Sequence, residues 1–440
     1  MQASLRLLAH RKFLPLFVTQ FLGAFNDNLF KTAMILFATY AVFKDPEHEL
    51  LFNAIATGLF ILPFFLLSAL SGQLADHMDK AKIIRFVKAA EIGIMLVGGA
   101  GLILCQVYTW TGVSLMLLAV LAMGVHSTFF GPIKYAILPQ HLDEDHVLGG
   151  TGLVEAGTYI AILIGTIVAG WISPTLAAAT VLLVALLGYA AGRAIPPAPR
   201  EGPPIQVDFN IFRSSWRLVN ATMHIRKLFL AIMSISFFWM IATVLIVIFP
   251  PLVKNDFTAS KEVASLFLAI FSIGVAVGSV AINRLLEGHV SAKYAPASVL
   301  MMAIFVWFFY FIAGIWGRTT DGSLYDVNAF LTQPHSWWVL VALFGIALFG
   351  GMFVVPLYAF LTITVARDET ARTVAANNVV NSGTMVFGTV VIILAQAGGL
   401  SNRNALIVVC IMCVLSAGLA MMLQNACDRE RRTARERGLP

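Results

Sequence analysis

Residues Phe129 to Thr166 read FFGPIKYAILPQHLDEDHVLGGTGLVEAGTYIAILIGT, two apolar helical stretches joined by a short acidic turn. Lys134 and Glu155 fall inside segments otherwise fit for lipid, where a charge costs several kcal/mol unless it is paired or wetted. Each therefore marks a bundle interior or a water-filled path. A weaker copy follows at Gly350–Gly383, GGMFVVPLYAFLTITVARDETARTVAANNVVNSG. There Pro356 stands 224 residues beyond Pro132, and Tyr358 with Ala359 answers Tyr135 with Ala136 after a slip of one residue. The chain reads as two related halves, an arrangement common among transporters.

Composition sets the class. Apolar residues make up 59% of the chain and charged residues 12%, and the mean hydropathy is +0.85; no soluble core could hide so much apolar surface. The expectation is an all-α membrane protein of about twelve transmembrane helices. Cys105, Cys410, Cys413 and Cys427 lie in or beside apolar runs and read as small core residues, with no disulfide, metal set or cofactor implied. The opening MQASLRLLAHRK leads into an apolar run carrying Asn26, Asp27 and Asn28, which no cleavable signal peptide would contain, so the first span is expected to be retained.

Apolar runs of about 20 residues begin near residues 14, 51, 83, 112, 146, 174, 226, 262, 294, 337, 374 and 404. After the sixth comes IPPAPREGPPIQVD, which cannot continue a helix. The expected organisation is a six-helix bundle over 1–194, a cytosolic linker over 195–224 and a second six-helix bundle with a basic tail over 225–440. Within the linker, Phe212, Trp216, Val219 and Met223 recur at helical spacing beside Arg213 and Arg217, the pattern of a helix lying on a membrane surface; an ordinary linker that happens to be periodic is the alternative. Lysine and arginine concentrate at Arg6, Arg11 and Lys12, in KAKIIRFVK, in the linker, at Arg284, Lys293, Arg367 and Arg372, and in the tail. The opposite loops carry only Lys44, Lys254, Lys261, Arg318 and Arg403. Both termini are therefore expected in the cytosol. This bias accounts for the isoelectric point of about 9.2, and no nucleic-acid partner is implied.

The loop Ser71–Arg85, SGQLADHMDKAKIIR, resembles the signature of the major facilitator superfamily, met here by Gly72, Asp76, Lys80 and Lys82. A small residue lets two helices approach, and the carboxylate can cap a helix N-terminus or pair with a base, latching one state of a cytosolic gate. The structural alternative is a solvated loop serving only topology. The second-half loop, GSVAINRLLEGHVSAKY, keeps Gly278, Arg284 and Lys293 but no matching aspartate.

A narrower resemblance rests on QFLGAFNDNLFKTAMILFATY, GPIKYAILP, GLVEAGTYIAILIGT, the GGMFVVPL run and the AANNVVNSG run. Together these are similar to the lysophospholipid transporter family of the major facilitator superfamily, over nearly the whole chain. That resemblance implies import of lysophospholipids, chiefly lysophosphatidylethanolamine, across the bacterial inner membrane for reacylation. Membrane lipids surround such a carrier, and a separately encoded acyltransferase or acyl-carrier-protein synthetase would be its partner. None of the nine histidines has an aspartate five residues on, so the HxxxxD acyltransferase motif is absent and a carrier without an enzyme is expected.

Read physically, Gln20, Ala24, Asp27 and Lys31 share one helix face. Similar stripes run through Ser127, Gly131 and Lys134; through Thr151, Glu155, Thr158 and Ile162; and through Asn377, Asn381, Thr384 and Gly388. Four helices are thus expected to offer polar faces to one interior. The candidate substrate residues are Asp27, Asn28, Lys31, Lys134, Glu155, Asn377 and Asn381, with Lys134 for a phosphate, Asp27 for an ammonium, and Glu155 for either Lys134 or the ammonium. An internal Asp27–Lys31 ion pair is the competing reading. Phe25, Phe129, Phe130 and Phe353 could flank an acyl chain, though ordinary packing competes for each. Glu91 has no obvious partner beyond a role in proton or cation coupling. Two other functions stay open: a cation-coupled exporter of amphipathic drugs, and a non-transporting membrane module.

Overall fold

A computed structural model describes residues 7–200, 207–286, 291–319, 322–364 and 370–436; the side chains of Asp76, 144–149, 151, 152, Glu155, 283, 362, 363, 370–372 and 430–436 lie outside that description. Among the described residues thirteen helices of more than two turns follow one another: α1 Leu14–Phe37, α2 Pro46–His77, α3 Lys80–Leu104, α4 Thr109–Ala136, α5 Glu144–Trp171, α6 Pro174–Arg193, α7 Ile211–Met223, α8 Arg226–Asn255, α9 Lys261–Leu285, α10 Ala295–Ile315, α11 Ser336–Thr364, α12 Thr370–Ala397 and α13 Asn402–Glu436. Among the described residues, ten are long and apolar enough to cross a membrane by length and composition. The other two long helices fall short for local reasons. Helix α1 carries Gln20, Asn26, Asp27, Asn28 and Lys31, and the described apolar part of α5 is limited to Ala156–Trp171.

Local chemistry sets the boundaries. Asp79 caps α3 by accepting from Ala81 N, and Ser173 caps α6 by accepting from Leu176 N with Pro174 at the first position. Beyond α12 the chain turns at Gly399, whose φ of 89° suits glycine. Pro63, Pro132, Pro250, Pro251 and Pro356 sit inside helices, as membrane helices tolerate when neighbours satisfy the freed carbonyls.

The chain divides into two compact units, residues 1–44 with 59–214 and residues 45–58 with 215–440. In the first, α3 packs on α4 and α6, and α1 on α5 and α6. In the second, α10 packs on α11 and α13, and α8 on α12 and α13. The same pairing recurs, which is the physical form of the repeat between Pro132 and Pro356. Close approaches need glycine at two equivalent contacts. A Cβ on Gly124 of α4 would strike the Phe60 carbonyl of α2, and one on Gly278 of α9 would strike the Leu348 carbonyl of α11. Helix α8 forms the core of its unit, with most of its side chains from Leu228 to Val253 buried. Around its end Phe249, Phe257, Phe267, Phe309, Trp316 and Phe330 pack edge to face, Phe257 and Trp316 at 5.1 Å, so these aromatics serve packing.

The start of the linker is anchored in the first unit. Lys80 N donates to Ala198 O, the Arg85 guanidinium donates to Ile195 O at 2.8 Å, and Ala198 N donates to Asp79 Oδ1.

Candidate substrate site

Three of the four polar stripes meet inside the first unit. Ser127 of α4 donates to Asp27 of α1 at 2.6 Å. Thr158 of α5 donates to Gln20 of α1 at 2.7 Å, and Lys134 Nζ of α4 reaches the same Thr158 hydroxyl at 3.4 Å. Lys134 also lies over the Tyr135 ring at 4.9 Å. Between Ser127 and Lys134 on the same α4 face is Gly131, where a Cβ would meet nothing within 4 Å among the described residues. The Ser127–Asp27 and Lys134–Thr158 contacts thus flank this open position, about 10 Å apart along α4. Gly157 keeps Gln20 in place, because a Cβ there would come 2.9 Å from its Nε2. Asn28 turns inward on its own helix and donates to Ala24 O.

The Asp27–Lys31 ion pair does not form. The aspartate takes the Ser127 hydroxyl, leaving Oδ1 buried without a hydrogen bond among the described residues, while Lys31 lies over the Phe60 ring at 4.8 Å. One turn of helix separates the two groups, and each finds its neighbour on another helix.

Glu91 has partners after all. Its carboxylate accepts from Lys88 Nζ at 2.6 Å and from Asn26 Nδ2 at 2.9 Å, with His126 Nε2 at 3.4 Å. Lys88 and Asn26 are fully buried, Glu91 is 1% exposed and His126 6%. The Lys88 ammonium also lies 5.0 Å from the Phe130 ring, and Gly23 makes room for it, since a Cβ there would sit 2.5 Å from Nζ. Phe130 is therefore committed to this ion cluster, and Phe353 is fully buried packing. His126 adjoins Ser127, so the cluster touches the Asp27 end of the open space.

The fourth stripe gathers in the second unit with Tyr358 and with Trp239 and Ser236, which the sequence had not marked. Trp239 Nε1 of α8 donates to the Tyr358 hydroxyl of α11 at 2.7 Å, Asn381 Nδ2 of α12 donates to the same oxygen at 3.2 Å, and Ser236 donates to Asn381 Oδ1 at 2.7 Å. Asn377, fully buried, lies against Tyr358. Tyr358 stands 224 residues beyond Lys134, so the repeat places a neutral hydroxyl where the first unit has a cation. Also in the second unit, Glu49 near the start of α2 is buried and accepts from Lys254 Nζ and, at 2.6 Å, from Asn255 Nδ2.

At the gate motif, the Asp76 side chain lies outside the described ones, as does that of Glu155. The N-terminus of α3 is capped by Asp79. Among the described residues a Cβ on Gly72 would meet nothing within 4 Å; α2 and α4 meet at Gly124 and through the Ser71 hydroxyl donating to Thr128 O. Lys80 is buried at the first turn of α3 and Lys82 is exposed. Outside the spans, burial holds the His141 imidazole below its ordinary range, against nearby Pro197 and Pro196 carbonyls. Burial likewise raises the Asp256 carboxyl although Arg318 donates to it at 2.7 Å. No group of three or more metal-ligating side chains occurs among the described residues.

The fold is shared with solved transporters. A D-xylose–proton symporter superposes with a TM-score of 0.67 at 15% identity, covering 93% of this chain and 97% of that one. A bacterial homologue of the iron transporter ferroportin gives 0.66 at 13% identity, covering 94% and 98%. The chain is thus a multi-pass membrane protein with the major facilitator fold. It belongs to the major facilitator family described as transmembrane secretion effector, whose model matches residues 51–319. Its relatives include proteins named lysophospholipid transporter LplT, from Photorhabdus laumondii at 26% identity over 78% of each chain, and from Klebsiella pneumoniae strain 342 at 26% over 83% of each.

Proposed function

We propose that this protein carries lysophospholipids, with lysophosphatidylethanolamine as the reference substrate, across a bacterial inner membrane by alternating access, with both termini in the cytosol. It acts as a carrier and not an enzyme, delivering its cargo to a separately encoded acyltransferase or acyl-carrier-protein synthetase. The observation that carries this reading is the open space at Gly131, bordered by Asp27 with Ser127 and by Lys134 with Thr158. A zwitterionic headgroup needs an anion for its ammonium and a cation for its phosphate, and a charge-assisted contact contributes roughly 1.5 to 3 kcal/mol. The relatives named as lysophospholipid transporters support the same substrate class.

In this reading Lys134 holds phosphate, Asp27 attracts ammonium and Glu155 balances Lys134, with Asn28 and Lys31 as further polar candidates in the first unit and Asn377 and Asn381 as the candidates in the second. Gly72, Asp76, Lys80 and Lys82 form the cytosolic gate loop. Helix α7 lies on the cytosolic face of the membrane, with Phe212 and Trp216 exposed at 70% and 72%. Export of amphipathic solutes is the second reading, favoured by the secretion description of the matched family.

The test is uptake of labelled lysophosphatidylethanolamine and lysophosphatidylglycerol by spheroplasts expressing the wild type, Asp27→Asn and Lys134→Ala. Lys134→Ala should weaken both lipids about tenfold to a hundredfold. Asp27→Asn should impair the ethanolamine lipid more, because lysophosphatidylglycerol has no ammonium. Equal losses for both lipids in Asp27→Asn would remove the headgroup assignment, and net efflux of the label would favour export.

A further inference from the structure

The first unit contains a second feature, separate from the polar space: an apolar groove of about 850 Å³ among the ends of α2, α3 and α4. Of its twelve lining residues only Lys82 and His126 are polar. Lys82 lies at one end, in the first turn of α3, and Ile94 and Ala122 lie at the other. From Lys82 to Ile94 the helix rises about 18 Å, against about 15 Å for half of a bilayer's hydrocarbon core. The groove therefore runs from one membrane surface to about mid-bilayer, with a cation at its mouth and carbon along its length.

Packing in the second unit shows that such a space is not an unavoidable product of the fold. Phe349 of α11, the repeat counterpart of Val125, stacks on Phe305 of α10 at 5.6 Å. The corresponding helix pair of the first unit presents Val125 and Ala122 and leaves the space open. Chain packing fills one copy, so a ligand of the same apolar character suits the other. The volume lies within the range of ligand pockets.

We propose that this groove holds the single acyl chain of a phospholipid in the leaflet beside Lys82, with the lipid phosphate against the Lys82 ammonium. The inference rests on the lysophospholipid reading for the identity of its occupant. It adds a place where the lipid sits outside the polar space. His126, in the groove wall, contacts Glu91 and adjoins Ser127, so a chain seated here borders the Asp27 end of the substrate site. Phe129 lines the groove, which gives that phenylalanine the acyl-chain contact its sequence position suggested.

The experiment uses the full chain in nanodiscs of diacyl phosphatidylethanolamine and phosphatidylglycerol. The probe is palmitoyl lysophosphatidylethanolamine with a diazirine at the chain terminus. Cross-links should concentrate on the peptides around Ile94 and Ala122, in the presence of a large excess of diacyl lipid. Val125→Phe, which installs the residue found in the second unit, should lower that capture about tenfold, the equivalent of roughly two methylenes of lost burial. Lys82→Glu should lower it severalfold without adding bulk to the apolar part of the groove, and serves if the larger residue disturbs folding. Labelling spread evenly over lipid-facing positions such as Ile304 and Leu394, insensitive to both variants, would overturn the proposal. So would capture of a diacyl probe equal to that of the single-chain probe. Capture at the groove with no lipid uptake by the same protein would refute the transport reading and leave the groove site standing.

Discussion

Glu91→Gln should destabilise the first unit strongly. The carboxylate lies between the Lys88 ammonium, the Asn26 amide and the His126 ring, all at most 6% exposed. Glutamine keeps the shape and a hydrogen bond to either neighbour but strands the ammonium, which retains only the Phe130 ring at 5.0 Å. Breaking a buried pair by removing one partner costs roughly 3 to 5 kcal/mol. At about 2 to 4 °C per kcal/mol for a unit of this size, the melting temperature should fall by at least about 6 °C. The double variant Lys88→Met with Glu91→Gln removes both charges, and replacing a whole buried pair is often neutral, so it should recover most of the loss. Thermal unfolding in nanodiscs of the single, partner and double variants closes the cycle. A single variant within about 2 °C of wild type, or a double variant no better than the single, would refute the view that Glu91 compensates Lys88.

Gly131→Phe should abolish lysolipid uptake with little change in melting temperature, because the added ring enters open space; a fully active variant would show that the headgroup does not pass there. Tyr358→Phe removes the oxygen shared by Trp239 and Asn381 and should cost about 1 to 3 kcal/mol of stability for the stranded indole and amide donors, read by thermal unfolding. The His141 imidazole is held below its ordinary range by burial, so the folded state keeps it neutral while the unfolded chain takes a proton below about pH 6.5. Its contribution is present above that pH and lost as pH falls. The melting temperature should decline from about pH 7.5 to pH 5.5, and His141→Gln should flatten that decline.

Periodicity and hydropathy revealed what is local. Span starts near 14, 174 and 226 match helices beginning at Leu14, Pro174 and Arg226, because these segments begin at charge or proline breaks. The stripes of Gln20, Asp27, Ser127, Lys134 and Thr158 were legible because an inward polar face recurs every three or four residues. Partners far apart in sequence were not. Lys88 was counted with the basic loop KAKIIRFVK, although α3 starts at Lys80 and buries it one turn before Glu91; a lysine three residues ahead of a glutamate in an apolar run was the overlooked signal. Glu49 lies ahead of the span start expected near residue 51, but α2 begins at Pro46, and its cation is 205 residues away. Tyr358 was marked only as an echo of Tyr135, and nothing in its neighbourhood announces Trp239. Asp79 caps α3 because it stands immediately before the first helical residue.

The most direct measurement is lipid movement by the purified protein in liposomes free of other proteins. Labelled lysophosphatidylethanolamine added outside should cross to the inner leaflet faster than in empty vesicles, saturate with concentration and exceed the rate for diacyl phosphatidylethanolamine. Lys134→Ala should reduce that rate while remaining folded. A folded wild-type protein that moves lysolipid no faster than empty vesicles do would contradict the account.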